Sequence, residues 1–203
     1  MIILDIETTG IDFNKCGIWQ IGALDFYNPE NYFLEEARID DEDLIEEGAL
    51  KINGKIEQEL RDPKKQSQKQ LLENFFEWIN EHKDYYPGGE NIGTFDWIFL
   101  KEKSEKYELK FPFRARVFDL QAVSQTRYHQ IFGKLLIKDG KSDMGLAQTL
   151  EFCGLKDLRG FHNALEDCKL EAEAFSRLLY GKNLIPEFSK FPVSEYLKKE
   201  KKW

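Results

Sequence analysis

The chain has 203 residues, of which 41% are apolar and 33% charged. That is enough for one domain with a sizeable core and too apolar for wholesale disorder. No apolar run approaches the ~20 residues needed to cross a bilayer, and the N-terminus MIILDIETTG has no basic region or small-residue cleavage site of a signal peptide. The odd, widely spaced cysteines Cys16, Cys153 and Cys168 fit neither a disulfide framework nor a zinc site and point to a reducing cytoplasm. A net charge of −8, from 37 acidic and 29 basic residues, has the wrong sign for a protein that holds nucleic acid by neutralising phosphates alone. It leaves open chemistry in which a few carboxylates hold divalent cations.

Met1 to Ile6 is a short Ile-rich run stopped by Thr8, Thr9 and Gly10, the pattern of a buried strand. Residues 17–27 and 32–39 predict two more strands joined by the turn residues 28–31, so the chain opens as an antiparallel meander. The period then changes. Ser67 and Gln70 have capping-box spacing ahead of Leu71, Leu72, Phe75, Phe76 and Ile79, an amphipathic helix. Gly88 and Gly89 break the chain before a helix from Thr94, its N-cap, to about Lys106. A strand over 114–118, a helix over 120–131, a polar loop over 134–142 and a helix over 143–152 follow. The last long helix runs from about Asn163 to Leu179, with Ala164, Cys168, Ala172, Phe175 and Leu179 on one face. Strands first and alternating elements afterwards predict one α/β domain over 1–180, its mixed sheet covered by helices on both faces. Residues 181–203 form a lysine-rich extension with six Lys and three Glu, read as a solvated end.

Three segments concentrate acids. Asp5 and Glu7 stand at i and i+2 of the first strand, on one face with Cα atoms about 6.5 Å apart, while Ile2, Leu4 and Ile6 take the other. Carboxylates on a greasy strand need a cation or a hydrogen-bond network; the plain alternative is a strand end emerging into solvent. Asp96 falls in the first turn of a helix, where matching the helix dipole explains it equally well. His162 precedes the last long helix and Asp167 lies inside it beside the packed stripe. Trp19, Trp78 and Trp97 read as packing residues.

Together, DIETTG, the Phe95-Asp96 pair followed by Phe99-Leu100, and His162 with Asp167 in HNALEDC resemble the three exonuclease motifs of the DEDDh superfamily. That superfamily includes ribonuclease T and the proofreading subunit of bacterial DNA polymerase III. IWQIGAL and ALKINGKIEQEL are also similar, and the resemblance covers roughly residues 1–180. Asn91 stands four residues before Phe95, where many relatives have an Asn three before. Asn163 occupies the position at which the sister subclass carries a tyrosine, so the histidine subclass is the matching one.

The resemblance implies a ribonuclease H-like fold, antiparallel in its early strands and parallel afterwards. It also implies a two-metal 3′–5′ exonuclease that releases nucleoside 5′-monophosphates from single-stranded DNA. Asp5, Glu7, Asp96 and Asp167 would hold two Mg²⁺ or Mn²⁺ ions, hard cations that prefer oxygen. His162, with an ordinary pKa of about 6.5, would be the general base. Thr8 and Thr9 would bind the terminal sugar, and Phe95 would stack on the last base unless it simply packs inward. An RNA-trimming exoribonuclease is the alternative within the superfamily. A non-catalytic nucleic-acid-binding or polymerase-associated module is the rival of a different class, against which all five motif residues stand. A polymerase or repair protein is the implied partner.

Overall fold

The computed structural model describes residues 1–82, 85–157 and 160–198. Its strands are β1 (Ile2–Thr8), β2 (Ile18–Asp25), β3 (Asn28–Glu36), β4 (Pro87–Gly89), β5 (Phe118–Asp119) and the short pair β6 (Ile137–Lys138) and β7 (Lys141–Ser142). The first five form one sheet of order β3-β2-β1-β4-β5. β1, β2 and β3 pair antiparallel, whereas β4 and β5 run parallel to β1.

The helices are α1 (Glu47–Asn53), α2 (Glu57–Leu60), α3 (Gln68–Asn80), α4 (Asp96–Lys106), α5 (Leu120–Phe132), α6 (Leu146–Phe152), α7 (Ala164–Tyr180) and α8 (Glu195–Lys198), with a 3₁₀ turn at Pro186–Lys190. Alternation along β1 builds the two cores. Ile2, Leu4 and Ile6 join Leu71, Phe75, Ile79 and Phe99 of α3 and α4 on one side. Ile3 joins Leu24, Phe175 and the α5–α6–α7 layer on the other. The mixed sheet with helices on both faces is the architecture the sequence predicts, and Ser67 caps α3 as expected, its hydroxyl accepting from the Gln70 N–H at 3.2 Å.

Several boundaries differ, each for a local reason. Residues 28–31 belong to β3: the hairpin turns at Phe26–Tyr27, where Asp25 accepts the Tyr27 N–H (2.9 Å). Pro29 is tolerated because β3 is an edge strand. Gly88 and Gly89 are not a break but the buried strand β4, squeezed so tightly that a Cβ on Gly89 would sit 2.7 Å from the Leu4 carbonyl oxygen. The strand expected over 114–118 is only Phe118–Asp119, the loop over 134–142 contains the β6–β7 hairpin, and the helix expected from 143 starts at Leu146. Thr94 is not the cap of α4; that position is Phe95, and the Thr94 hydroxyl donates to the Asn91 carbonyl (3.1 Å). α1 and α2 were not anticipated as helices. Leu179 is 41% exposed, and Leu178 takes its place in the core.

The extension is not a solvated end as far as Lys198. Ile185, Phe188, Val193 and Leu197 are buried in the α5–α7 core. The buried Arg177 ties them down, donating from Nε to Glu173 and from its terminal nitrogens to the carbonyls of Cys153, Phe188 and Phe191. Glu173 in turn accepts the N–H groups of Leu184 and Ile185. The rest of the lysine-rich end, residues 199–203, lies outside the described residues.

Candidate active site

Residues paired directly across an antiparallel ladder share a face. Asp5 lies opposite Gly22 and Glu7 opposite Gln20, all facing α7. Gly22 leaves room for that helix: a Cβ there would come within 2.4 Å of the Ala164 carbonyl carbon and 2.5 Å of the Leu165 nitrogen. Gln20 accepts the Ala164 N–H at 2.9 Å, and the Asn163 side chain caps the N–H groups of Leu165 and Glu166. The start of α7 is thereby seated on β2, which brings Asp167 in its first turn and His162 just ahead of it up to the acids of β1. On the other side, β4 pairs only with Ile2 and Ile3, and further along β1 the Ile6 N–H is taken by Asp96 Oδ1 at 3.1 Å. The register of β1 on β2 slips between Glu7 and Thr8, a bulge at the edge of the site.

Three separate segments therefore converge. His162 Nδ1 lies 3.4 Å from Asp167 Oδ2 and 4.0 Å from Glu7 Oε1. One ligand atom from each of Glu7, His162 and Asp167 falls within 4.8 Å of the others. Glu7, Asp96 and Asp167 are buried, while the His162 side chain is 43% exposed and stands at the mouth. Glu7 and His162 open onto a cleft of about 350 Å³ whose wall also includes Asp5, Thr8 and Phe95, with Ile11, Ala49 and Ile52 as its apolar side.

The electrostatics are those of crowded anions. Burial, then the charges of Asp96, Glu171, Asp167 and Glu7, hold the Asp5 carboxyl well above the usual range. Burial pushes Asp96 up to about 7, with N–H hydrogen bonds pulling down and Glu7 and Asp119 pushing up. Two acids outside the motifs join them. Glu171, one turn beyond Asp167, is 1% exposed, and its Oε2 has no hydrogen-bond partner among the described residues. Burial and the charges of Asp96, Asp167 and Glu90 raise its carboxyl well above normal. Glu90, which follows β4, has both oxygens unpartnered among the described residues and is pushed up to about 8 by burial and Asp119. An all-oxygen set of mutually repelling, under-bonded carboxylates fits hard divalent cations, whose charge relieves what the protein leaves uncompensated.

Glu171 was missed in the sequence because an acid in an amphipathic helix reads as solvent-facing. Its spacing of four from Asp167 was the available signal. Ile52 and Asn53 lie in ALKINGKIEQEL, noted as similar to the family but given no role.

Other expected site residues take different places. Thr8 lines the cleft, its hydroxyl donating to the Gly10 carbonyl at 2.7 Å. Thr9 does not reach it: 1% exposed, its hydroxyl donates to the Leu44 carbonyl and accepts the Gly17 N–H. Thr9 thus braces the loop behind the site. Phe95 packs inward, its ring 5.0 Å from that of Phe99, and also lines the cleft. Asn91 sits in an exposed turn at φ 51°, a conformation Asn adopts readily, and its carbonyl accepts the N–H groups of Thr94 and Phe95. Trp19 is buried, and Trp78 and Trp97 pack against the α3–α4 core.

The fold is shared with solved nucleases. Cell-death related nuclease 4 (CRN-4) superposes with a TM-score of 0.66 at 16% identity, covering 88% of this chain and 62% of that one. A structure of exonuclease I gives a TM-score of 0.70 at 18% identity, covering 88% of this chain and 40% of that one, and the E. coli enzyme is also matched as its complex with single-stranded DNA. A 3′-exonuclease that recognises a histone mRNA stem-loop gives 0.66 at 16%, covering 88% and 62%. The chain thus spans less than two thirds of each of these proteins, and the likeness establishes a ribonuclease H-like fold. No curated protein sequence matches it. The sequence itself matches the exonuclease family (RNase_T) over residues 2–175, a span holding all three acidic segments and His162, and the chain belongs to that family.

Proposed function

We propose that the protein is a divalent-metal-dependent 3′–5′ exonuclease that releases nucleoside 5′-monophosphates from single-stranded DNA. The observation that supports this reading is the meeting of three separate segments: Glu7, His162 and Asp167 lie within 4.8 Å of one another, Asp5 and Glu7 line the cleft with His162, and Asp96 is bonded to β1 between them at the Ile6 N–H. Asp5, Glu7, Asp96 and Asp167 would hold two ions, Mg²⁺ or Mn²⁺. Bound there, the ions supply charge that neutralises the scissile phosphate and steadies the leaving oxygen. The protein's own part is positioning and proton transfer. His162, half in solvent and beside Asp167, takes the proton of the attacking water, and the nearby carboxylates stabilise the imidazolium that results. Phe95 and Ile52 offer apolar surface to the terminal base, and Thr8 flanks the sugar.

A cleft this size admits a terminal nucleotide, whereas a duplex stem would have to fray to enter. The RNA-trimming alternative gains weight from the structural neighbour that recognises an mRNA stem-loop. A polymerase partner rests on the resemblance alone. No helix among the described residues is long and apolar enough to cross a membrane, and the free, buried cysteines suit the cytoplasm we assign.

Degradation of 5′-labelled single-stranded DNA and RNA with Mg²⁺, Mn²⁺ or EDTA tests the proposal. A metal-dependent descending ladder on DNA, blocked by a 3′ phosphate, is the expected result. A ladder on RNA alone transfers the reading to the exoribonuclease. Internal fragments from a circular single strand, or undiminished cleavage in EDTA, would overturn it.

A further inference from the structure

The β6–β7 hairpin is an exposed, cationic feature that the proposed reaction does not use. Residues 134–142 carry Lys134, Lys138 and Lys141 against the single acid Asp139, in a chain of net charge −8. All three lysines are exposed, and none forms an ion pair among the described residues. Between them Leu135 and Ile137 are each 51% exposed. Apolar side chains interleaved with lysines on a projecting ribbon gain nothing for the core. They match a polyanion with apolar faces.

The ribbon is built to hold its shape. Asp139 and Gly140 have φ of 49° and 74°, the paired positive values of a tight I′-type hairpin turn. At its base the Gln125 side chain brackets the Leu136 backbone, accepting its N–H at 3.0 Å and donating to its carbonyl at 2.8 Å. Gln121 and Gln125 both donate to the Ser142 hydroxyl, at 2.7 and 2.8 Å. These bonds fasten the hairpin to the first turns of α5, which starts directly after Asp119 at the carboxyl end of β5.

β5 runs parallel to β4, and β4 to β1, so the carboxyl end of β5 lies at the same end of the sheet as Asp5 and Glu7 on β1. Two strand spacings separate β5 from β1, about 10 Å. The hairpin is therefore anchored at the same end of the sheet as Asp5 and Glu7, two strands away.

Resting on the exonuclease reading, we infer that the β6–β7 hairpin is a second nucleic-acid contact. It grips the phosphates of the single strand upstream of the 3′-terminal nucleotide with Lys134, Lys138 and Lys141, while Leu135 and Ile137 lie against base faces. The arm supplies cationic attraction that the acidic body lacks, and it acts on chain binding rather than on bond breaking.

The test is the variant Lys134→Ser/Lys138→Ser/Lys141→Ser in the full chain, with unchanged melting temperature as the check on folding. Fluorescence anisotropy of a labelled single-stranded oligonucleotide, with Ca²⁺ in place of Mg²⁺, reads binding without turnover. Affinity should fall tenfold or more at low salt. The dependence of log affinity on log salt should become shallower by about 2, since each single-strand phosphate contact contributes ~0.7. KM for the long oligonucleotide should rise in step, with kcat unchanged. Hydrolysis of a nucleoside 5′-(p-nitrophenyl phosphate), which has nothing upstream to reach the hairpin, should match wild type. Equal affinity and equal salt slope in variant and wild type would overturn the inference and mark the ribbon as a protein-docking surface. If the wild type hydrolyses neither substrate, the exonuclease reading fails, while anisotropy still decides whether the hairpin holds nucleic acid.

Discussion

His162 and Asp167 touch, yet the roles we propose for them are separable by experiment. The histidine is at the cleft mouth and exchanges with solvent, whereas Asp167 is 2% exposed among other carboxylates. His162→Ala should lower turnover by roughly 10²–10⁴-fold, the usual contribution of positioned proton transfer, and abolish the rise of rate with pH through the histidine's titration. Mn²⁺ affinity measured by calorimetry should barely change in that variant. Asp167→Ala should weaken Mn²⁺ binding as well as turnover. A His162→Ala enzyme that keeps the wild-type pH limb would remove the histidine as base. Single residues were legible in the sequence to the extent that chemistry demanded their type. The structure brings Glu7, His162 and Asp167 from separate segments close together. The place of Thr9 was not legible, because a hydroxyl beside the acids serves equally well as a brace, and only its bonds to Leu44 and Gly17 show which it is.

At the level of elements, the site depends on how closely α7 lies on β2. Gly22→Ala should be costly: its new methyl meets backbone, not a flexible side chain, at 2.4–2.5 Å. Overpacking of this kind typically costs about 1–3 kcal/mol. Because α7 must rise to accept it, metal affinity should fall along with the melting temperature. Asn163→Ala removes the cap of the same helix and should cost about 0.5–2 kcal/mol in chemical denaturation. A Gly22→Ala protein with wild-type stability and metal affinity would mean that the close seating of α7 on β2 is not what positions Asp167. Gln20, Gly22 and Asn163 are individually unremarkable in sequence, since their importance comes from β2 and α7 being adjacent in space and far apart in the chain. The long, periodic α3 and α7 could be read directly. β4 could not, because a three-residue strand of Pro and Gly has no side-chain pattern, and its burial is imposed by β1 and β5 on either side.

For the whole molecule, the clustered acids make folding and metal binding parts of one equilibrium. Asp96 and Glu90 are pushed up to about 7 and 8 in the fold, and Asp5 and Glu171 are raised well above normal. The folded chain therefore retains protons that the unfolded chain releases from about pH 4 upward. Stability falls wherever the native state binds more protons, so without metal it should decline as pH rises from about 5 to about 8. Glu36 and Asp40 work in the opposite sense. Burial would raise them, but bonds from Lys65 and Lys55 to Glu36, and from Lys106 and Tyr107 to Asp40, outweigh it. Their contribution is lost only as pH falls below the ordinary carboxylate range, outside that window. Divalent ions require the ionised acids, so the stabilisation they give should grow with pH over the same interval. Melting curves in EDTA and in Mn²⁺, taken from about pH 5 to about pH 8, should diverge: a falling midpoint in EDTA and a level or rising one with the ion. Glu171→Gln, which cannot ionise, should flatten the EDTA curve. A midpoint in EDTA that rises across this range, or parallel curves with and without Mn²⁺, would show that the buried acids are compensated within the protein and that metal does not bind at them.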